Sequence, residues 1–166
     1  MSRMASAVDT GWCTFQLADG LYGVELSRVN EVLRPQPLAR VPLAPPAVAG
    51  LLNLRGHIVP AVDLRTLFGL KPRSAGALVV VHADDGPVAL VVDAIGDVQR
   101  RAMLPPGALE ADTHAAHDSL CAQTIPLPES LLVVIDLDRV LQQAFDRPEP
   151  AGIARSRAWA ATDFGE

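Results

Sequence analysis

Few side chains in this sequence could do chemistry, and two histidines come first among them. His114 and His117 stand three residues apart with Asp112 and Asp118 beside them, a group that could bind a divalent metal. Zinc requires three or four rigidly held ligands, and nothing else in the sequence points to the missing ones. A solvated loop carrying two histidines is therefore the favoured interpretation, and we expect neither a metal nor a cofactor.

Nucleophilic and phosphate chemistry lack their usual motifs. The sequence contains no phosphate-binding glycine loop, no Gly-x-Ser-x-Gly elbow and no His-Glu-x-x-His. Cys13 and Cys121 stand away from the turns and helix starts that activate a thiol, so we expect two inert, reduced cysteines. Asp84 and Asp85 fall in a turn, where aspartate is common for conformational reasons. The sequence therefore predicts that the protein is not an enzyme.

Arg55 is notable for its position rather than its reactivity. Together with Gly56 it forms a short turn between two apolar runs. A guanidinium at a hairpin tip can bind a carboxylate through two hydrogen bonds, and Glu31, after the first hairpin, is the candidate partner. Arginine is also frequent at the centre of protein interfaces. Two interpretations stay open: a surface turn residue with no further role, and part of a protein-binding surface.

Composition narrows the class of protein. The 166 residues include 14 Lys and Arg against 19 Asp and Glu, a net charge of −5, so a basic nucleic-acid-binding face is not expected. With 14 Pro and 12 Gly, the chain is interrupted too often for a helical bundle. No apolar run approaches the roughly 18 residues of a membrane span, and residues 1–11 lack the apolar core of a signal peptide. We expect a soluble cytoplasmic protein with no direct membrane insertion.

Short β-branched runs separated by turn residues dominate the chain and predict an all-β fold. Four hairpins are expected: 12–17 with 21–26, 47–54 with 57–62, 77–82 with 88–92, and 119–127 with 131–135. Helical spacing is limited to three short segments, 27–33, 64–68 and 137–145.

The order of these elements is repeated. When Gly20 is aligned with Gly86, apolar positions and charges coincide without gaps over the next stretch of the chain. Further on, residues 62–68 match 135–141, and in both copies an aspartate precedes a short helix as its N-cap. The sequence therefore predicts a duplicated β-unit.

The repeat and the breaker residues divide the chain. We expect one folded domain at 12–146, built of subunits at about 12–70 and 77–146, and whether the first strand is exchanged between them stays open. The remaining segments are expected to lack a fixed structure: 1–11 as a flexible N-terminus, 105–117 as a mobile loop and 147–166 as a disordered tail.

The residues around Arg55 closely resemble the CheW family, the coupling proteins of bacterial chemotaxis arrays. Block 53–65 matches that family's most recognisable stretch, with the pattern N-L-R-G-x-I-x-P-x-x-D-L-R. The family's first hairpin and connector are similar to residues 22–32, and its second hairpin is similar to residues 90–98. The three blocks follow the family's order along the chain. The resemblance extends over about residues 14–145.

The resemblance implies a fold, a role and a site. The implied fold is two five-stranded SH3-like β-barrels packed on a shared hydrophobic seam, with short helices. The implied role is a non-enzymatic adaptor that joins the cytoplasmic tip of methyl-accepting chemotaxis receptors to the regulatory domain of the histidine kinase CheA, in arrays at the membrane. The binding positions carried over from the family are Val29, Glu31, Val32, Gly50, Asn53, Arg55 and Gly56.

Some stretches depart from the family pattern. Residues 105–117 and 119–128 match it poorly, and 33–37 is richer in proline. The alternatives to a chemotaxis adaptor are a CheW-like adaptor of twitching motility or of another chemosensory pathway, and a small metal-binding β-barrel that would use His114 and His117.

Overall fold

The structure, a computed structural model, describes residues 11–71, 73, 76–100, 104 and 120–146. The predicted mobile loop 105–117, with His114 and His117, and the predicted tail 147–166 lie outside the described residues. Within the described residues the chain forms ten strands, one turn of 3-10 helix at Leu26–Arg28 and two short α-helices. The strands are β1 Gly11–Leu17, β2 Gly20–Glu25, β3 Val29–Leu33, β4 Val48–Leu54, β5 His57–Asp63, β6 Ala77–Ala83, β7 Gly86–Val92, β8 Ala94–Arg100, β9 Cys121–Pro126 and β10 Leu131–Ile135, and the helices are α1 Leu64–Leu67 and α2 Leu137–Phe145.

The strands form two five-stranded sheets, which confirms the predicted fold class. The first sheet has the order β8-β1-β2-β10-β9, and the second has the order β3-β6-β7-β5-β4. Both orders are linear, so among the described strands hydrogen bonds close neither sheet into a complete ring.

Each sheet takes strands from both halves of the chain. Hairpin β1–β2 joins strands of the second half, and hairpin β6–β7 joins strands of the first half. The exchange creates two parallel pairs, β2 with β10 and β5 with β7, in sheets that are otherwise antiparallel. The sheets therefore do not follow the division at 12–70 and 77–146, and a whole hairpin, rather than one strand, is exchanged in each direction.

The registers of the two sheets confirm the internal repeat. Val32 of β3 lies opposite Val79 of β6, and Val98 of β8 lies opposite Cys13 of β1. The alignment of Gly20 with Gly86 also aligns Val32 with Val98 and Cys13 with Val79, so the two pairs are copies of each other. Both ladders also contain a bulge at the corresponding place. Each sheet therefore repeats the other at the level of individual residue pairs.

The segment 27–33 corrects a prediction, because it is not helical. A single 3-10 turn ends at Arg28, and the chain then continues as strand β3, so Glu31 lies on a strand. The β-branched residues Val29 and Val32 favour extended structure, and β3 pairs with β6 along its length, with one bulge between Val29 and Glu31. Pairing with a distant strand outweighs a weak local helical preference here.

The hydrophobic core has three parts. The largest cluster takes buried side chains from both sheets and both helices, among them Phe15, Val24, Val62, Leu90 and Val140. Two smaller clusters fill the second and the first sheet separately. The shared seam expected from the family resemblance is therefore the main core, and it fixes one sheet against the other.

Candidate partner-binding surface

The β4–β5 turn places Arg55 at the tip of a two-residue loop. Arg55 has φ +51° and Gly56 has φ +87°, and positive φ at both central residues is typical of the turn that best matches the twist of a hairpin. The side-chain Oδ1 of Asn53 accepts a hydrogen bond from the backbone N–H of Gly56 at 3.1 Å. Asn53 and Gly56 thus hold the backbone that presents Arg55.

Arg55 and Glu31 form the predicted ion pair. The Nη1 of Arg55 donates to Oε1 of Glu31 at 2.7 Å, and Nη2 donates to Oε2 at 2.9 Å, so the pair is bidentate. The hydrogen bonds and the charge of Glu31 raise the pKa of the Arg55 guanidinium. The Arg55 side chain remains 72% exposed while that of Glu31 is 20% exposed, so the pair holds the guanidinium in a fixed position at the surface.

This ion pair also bridges the two edges of the second sheet. Glu31 lies on β3 and Arg55 at the end of β4, and these are the two outer strands of that sheet. A contact between them requires a strongly curled sheet, which is the shape that an SH3-like barrel has. The edge strands β3 and β4 are not paired by backbone hydrogen bonds, and the ion pair therefore connects them through side chains.

Gly50 has a structural role behind this surface. A Cβ atom at Gly50 would lie 2.6 Å from the carbonyl oxygen of Ala39. The segment at Ala39 runs against β4 and exchanges two backbone hydrogen bonds of 2.8 Å with Leu51. Gly50 is buried, so the structure places this predicted binding residue under a loop rather than in the exposed part of the surface.

Strand β3 supplies the apolar part of the surface. Val32 is 45% exposed, whereas Val29 is partly buried against the main core. Val98 on β8 is 42% exposed at the equivalent place of the other sheet, and the sequence-based prediction did not include it. The internal repeat, which aligns Val32 with Val98, was the signal that could have identified it.

Ile58 and Phe145 mark a second exposed surface that the sequence-based prediction also missed. Both are exposed hydrophobic residues, and they line a groove of about 580 Å³ between the β5 and β7 strands and helix α2. Pro60, Leu141 and three aspartates at positions 84, 85 and 138 complete much of its lining. The groove thus has an apolar floor and an acidic rim.

The described residues offer neither a metal site nor an activated thiol in the fold. No group of three or more His, Cys, Asp or Glu side chains in the described ranges is placed to hold a metal ion. Cys13 is buried, and burial raises the pKa of its thiol, which disfavours the nucleophilic thiolate. No helix within the described part of the chain has the length and apolar character needed to cross a bilayer.

Comparisons with known proteins identify the family and a related fold. Residues 12–145 match the family described as the CheW-like domain. The chain is 32% identical over 92 residues to a chemotaxis protein CheW of Treponema pallidum, which covers 51% of this chain and 54% of that protein. A chemotaxis protein CheW of Bacillus subtilis is 25% identical over 149 residues, 84% of this chain and 93% of that protein. The chain spans about half the length of most of the curated relatives that it matches.

A solved structure shares the fold. The crystal structure of the scaffolding protein TtCheW from Thermoanaerobacter tengcongensis matches with a TM-score of 0.67 at 23% identity, covering 77% of this chain and 89% of that one. The two-sheet architecture therefore occurs in a protein known as a scaffold.

Proposed function

Because the chain belongs to the CheW-like domain family, we propose that it is a non-enzymatic adaptor that couples methyl-accepting chemotaxis receptors to the histidine kinase CheA. One observation carries the proposal: Arg55 is held bidentately by Glu31 at the tip of a rigid turn and is still 72% exposed. On this proposal the protein acts in the cytoplasm and is recruited to membrane-associated receptor arrays by its partners.

Pre-organisation makes the Arg55 surface suited to binding. A guanidinium has five N–H groups, and the two that bond to Glu31 leave others directed to solvent for a partner carboxylate or carbonyl. Since Glu31 already fixes the long side chain, binding would lose less rotamer freedom than with a free arginine. Exposed Val32 on the same strand as Glu31 adds an apolar contact. We assign the receptor tip to this surface.

An adaptor must hold two partners at once, so it needs a second, separate surface. The groove at Ile58 and Phe145 supports this requirement, because it is apolar, exposed and lined by residues that do not take part in the Arg55–Glu31 pair. We assign the regulatory domain of the kinase to this groove.

A binding experiment with three variants tests the proposal. Affinity for a receptor-tip fragment and for CheA would be measured separately for the wild type, Arg55→Ala, Ile58→Asp and the control Arg40→Ala, an exposed arginine in the β3–β4 loop. We expect Arg55→Ala to weaken receptor binding about tenfold or more, as hot-spot residues do, and to leave kinase binding nearly unchanged. Ile58→Asp should have the opposite selectivity, and Arg40→Ala should change neither affinity.

Two outcomes would contradict the assignment. Receptor binding by Arg55→Ala at wild-type affinity would remove Arg55 from the site. Equal losses for both partners in Arg55→Ala, with an unchanged melting temperature, would show that the two surfaces are not separate.

A further inference from the structure

The chain crosses between the two sheets twice, and each crossing is held by an ion pair to a helix. The first crossing is the 3-10 turn Leu26–Arg28, between β2 of the first sheet and β3 of the second. The second is Asp93, between β7 of the second sheet and β8 of the first. These two short connections lead the chain from one sheet to the other after each exchanged hairpin.

At the second crossing the ion pair is buried and bidentate. The Nε of Arg65, in α1, donates to Oδ1 of Asp93 at 2.6 Å, and its Nη2 donates to Oδ2 at 2.5 Å. The two side chains are only 14% and 8% exposed. Asp93 Oδ2 also accepts the backbone N–H of Ala18, at the β1–β2 turn, at 2.7 Å.

At the first crossing the charges are reversed. The Nη2 of Arg28, in the crossing, donates to Oδ1 of Asp138, in α2, at 3.1 Å. Arg28 also donates from Nε and Nη2 to the backbone carbonyl of His82, near the β6–β7 turn, at 3.2 and 3.0 Å. This pair is more exposed than the other, with Arg28 at 28% and Asp138 at 77%.

The helix residues of the two ion pairs are equivalent in the repeat, and the crossing residues lie one position apart, because the alignment of Gly20 with Gly86 places Arg28 beside Ala94 and Asp93 beside Ser27. Arg65 and Asp138 each stand two residues after the aspartate that caps their helix, Asp63 for α1 and Asp136 for α2. In one copy the helix is positive and the crossing negative, and in the other copy the helix is negative and the crossing positive. The contacts with the hairpin turns are reversed as well. Asp93 accepts a hydrogen bond from a backbone N–H at the β1–β2 turn, whereas Arg28 donates hydrogen bonds to a backbone carbonyl near the β6–β7 turn.

The reversal distinguishes the observed fold from its nearest alternative. In the observed fold β5, which leads into α1, lies beside β7, and β10, which leads into α2, lies beside β2. If each half kept its own hairpin, β5 would lie beside β2 and β10 beside β7. Arg65 would then face Arg28, and Asp138 would face Asp93, so both units would bring like charges together.

We propose that the opposite polarity of the Arg65–Asp93 and Arg28–Asp138 pairs specifies the exchange of hairpins between the two sheets. The need for such a device follows from the repeat itself, because equal registers make the two hairpins nearly interchangeable as far as backbone pairing is concerned. Discrimination between such alternatives is commonly obtained by placing like charges in the wrong one. Arg28, Arg65, Asp93 and Asp138 are thus positioning residues of the fold.

The test inverts one pair only. In Arg28→Asp/Asp138→Arg the native contact is still complementary, but both helices are now positive and both crossings negative, so the un-exchanged fold becomes complementary as well. The control Arg28→Lys/Asp138→Glu changes the same positions and keeps the polarity. A neutral variant, Arg28→Gln/Asp138→Asn, removes half of the discrimination and serves as a milder comparison.

The readout is a cross-link that only the exchanged fold allows. Gln16 of β1 and Ala94 of β8 are exposed and directly opposite each other, so cysteines placed at both positions can form a disulfide. Each full-length variant carrying Gln16→Cys/Ala94→Cys would be refolded reduced, and the monomer fraction oxidised afterwards and mapped by mass spectrometry. Two chains that swap hairpins with each other would form a dimer with the same strand pairs between the chains. The monomer alone is therefore analysed.

We expect the wild type and the control to be cross-linked almost completely after refolding. The inverted variant should fall to about half, since its ion pairs favour neither arrangement, and the neutral variant should lie between. Complete cross-linking of the inverted variant, matching the control, would overturn the proposal. If the inverted variant yields no monomer, the same inversion with other side chains, Arg28→Glu/Asp138→Lys, decides, and complete cross-linking there would overturn the proposal equally.

Discussion

The two halves of this protein have the same strand registers but different surfaces at equivalent places. In the second sheet the tip of hairpin β4–β5 carries Arg55, bound to Glu31 of the edge strand. In the first sheet the residues that the repeat aligns with Arg55 and Glu31 are Pro128 and Asp97. Duplication therefore supplies the same frame twice, and only the β4–β5 copy presents an arginine at its tip, since the β9–β10 turn carries Pro128 and Glu129 instead.

The same comparison applies behind the surface. Gly50 on β4 lies opposite Ala61, and its counterpart Gln123 on β9 lies opposite Val134. The glycine is needed on β4 because the segment at Ala39 packs against it, and Gln123 is exposed. The glycine of the first half is thus explained by the segment that packs on β4.

The largest expected effect tests whether the two sheets are one folding unit. Val24 and Leu90 are equivalent residues of β2 and β7, both buried in the shared core at 1% and 0% exposure. Val24→Asp or Leu90→Asp would bury an unpaired carboxylate, so each should cost about 4 kcal/mol or more and abolish the cooperative unfolding transition at neutral pH. The measurement is urea unfolding followed by circular dichroism, with Asn30→Asp on the exposed side of β3 as the control.

The outcome separates a shared core from two independent ones. Loss of the entire transition in both variants is expected. A variant that keeps about half of its native ellipticity in a cooperative transition would mean that one sheet folds without the other.

Local patterns in the sequence account for much of the fold. Turn residues predicted the hairpins, aspartate caps predicted both helices, and helix α2 has the predicted bounds of 137–145. The Arg55–Glu31 contact was also predicted, because a turn between apolar strands leaves an arginine few partners other than the carboxylate on the neighbouring connector. These features depend on interactions close in sequence or on a single strong charge pair.

The features that sequence reasoning missed depend on distant partners. Residues 29–33 form a strand because β6, in the other half of the chain, pairs with them, and the β-branched residues of the connector favour a strand without identifying that partner. The spacing of apolar residues cannot predict the exchange of whole hairpins, because hairpins β1–β2 and β6–β7 have equivalent apolar patterns. The structural role of Gly50 also belongs here, because its close neighbour, the carbonyl of Ala39, reaches it only through the fold. The place of Gly50 in the binding surface stays a prediction.

A smaller effect is expected at the two crossings, where the buried and the exposed ion pair can be compared. The hydrogen bonds from Arg65, together with the N–H of Ala18 and the charge of Arg73, hold the pKa of Asp93 below its usual value. A carboxylate whose pKa is lower in the folded state stabilises the fold above the pKa of the unfolded chain, about 4, and loses this contribution as the pH falls further. Asp93→Asn should therefore destabilise the protein clearly at pH 7 and much less near pH 3.

The matched variant is Asp138→Asn at the exposed pair. Thermal melts of both variants and the wild type from pH 3 to pH 7 provide the measurement. At pH 7 the melting temperature should fall several degrees for Asp93→Asn and little for Asp138→Asn, because exposed ion pairs contribute little. An Asp93→Asn curve that stays parallel to the wild type across this range would show that the Arg65–Asp93 pair does not contribute through its charge.

The last comparison concerns Gly50 and its counterpart Gln123, where the matched variant at Gln123 should have the smallest effect of all. Gly50→Ala places a methyl group 2.6 Å from the carbonyl of Ala39, so the segment at Ala39 must shift, and we expect a loss of about 1–3 kcal/mol of stability. Gln123→Ala, at the equivalent exposed position, should lie within about 0.5 kcal/mol of the wild type. Urea unfolding gives both values. If the shift of this loop also reduces receptor binding while Arg55 remains paired with Glu31, the loop takes part in the surface. If binding is unchanged, Gly50 supports β4 alone, and its place among the binding residues must be withdrawn.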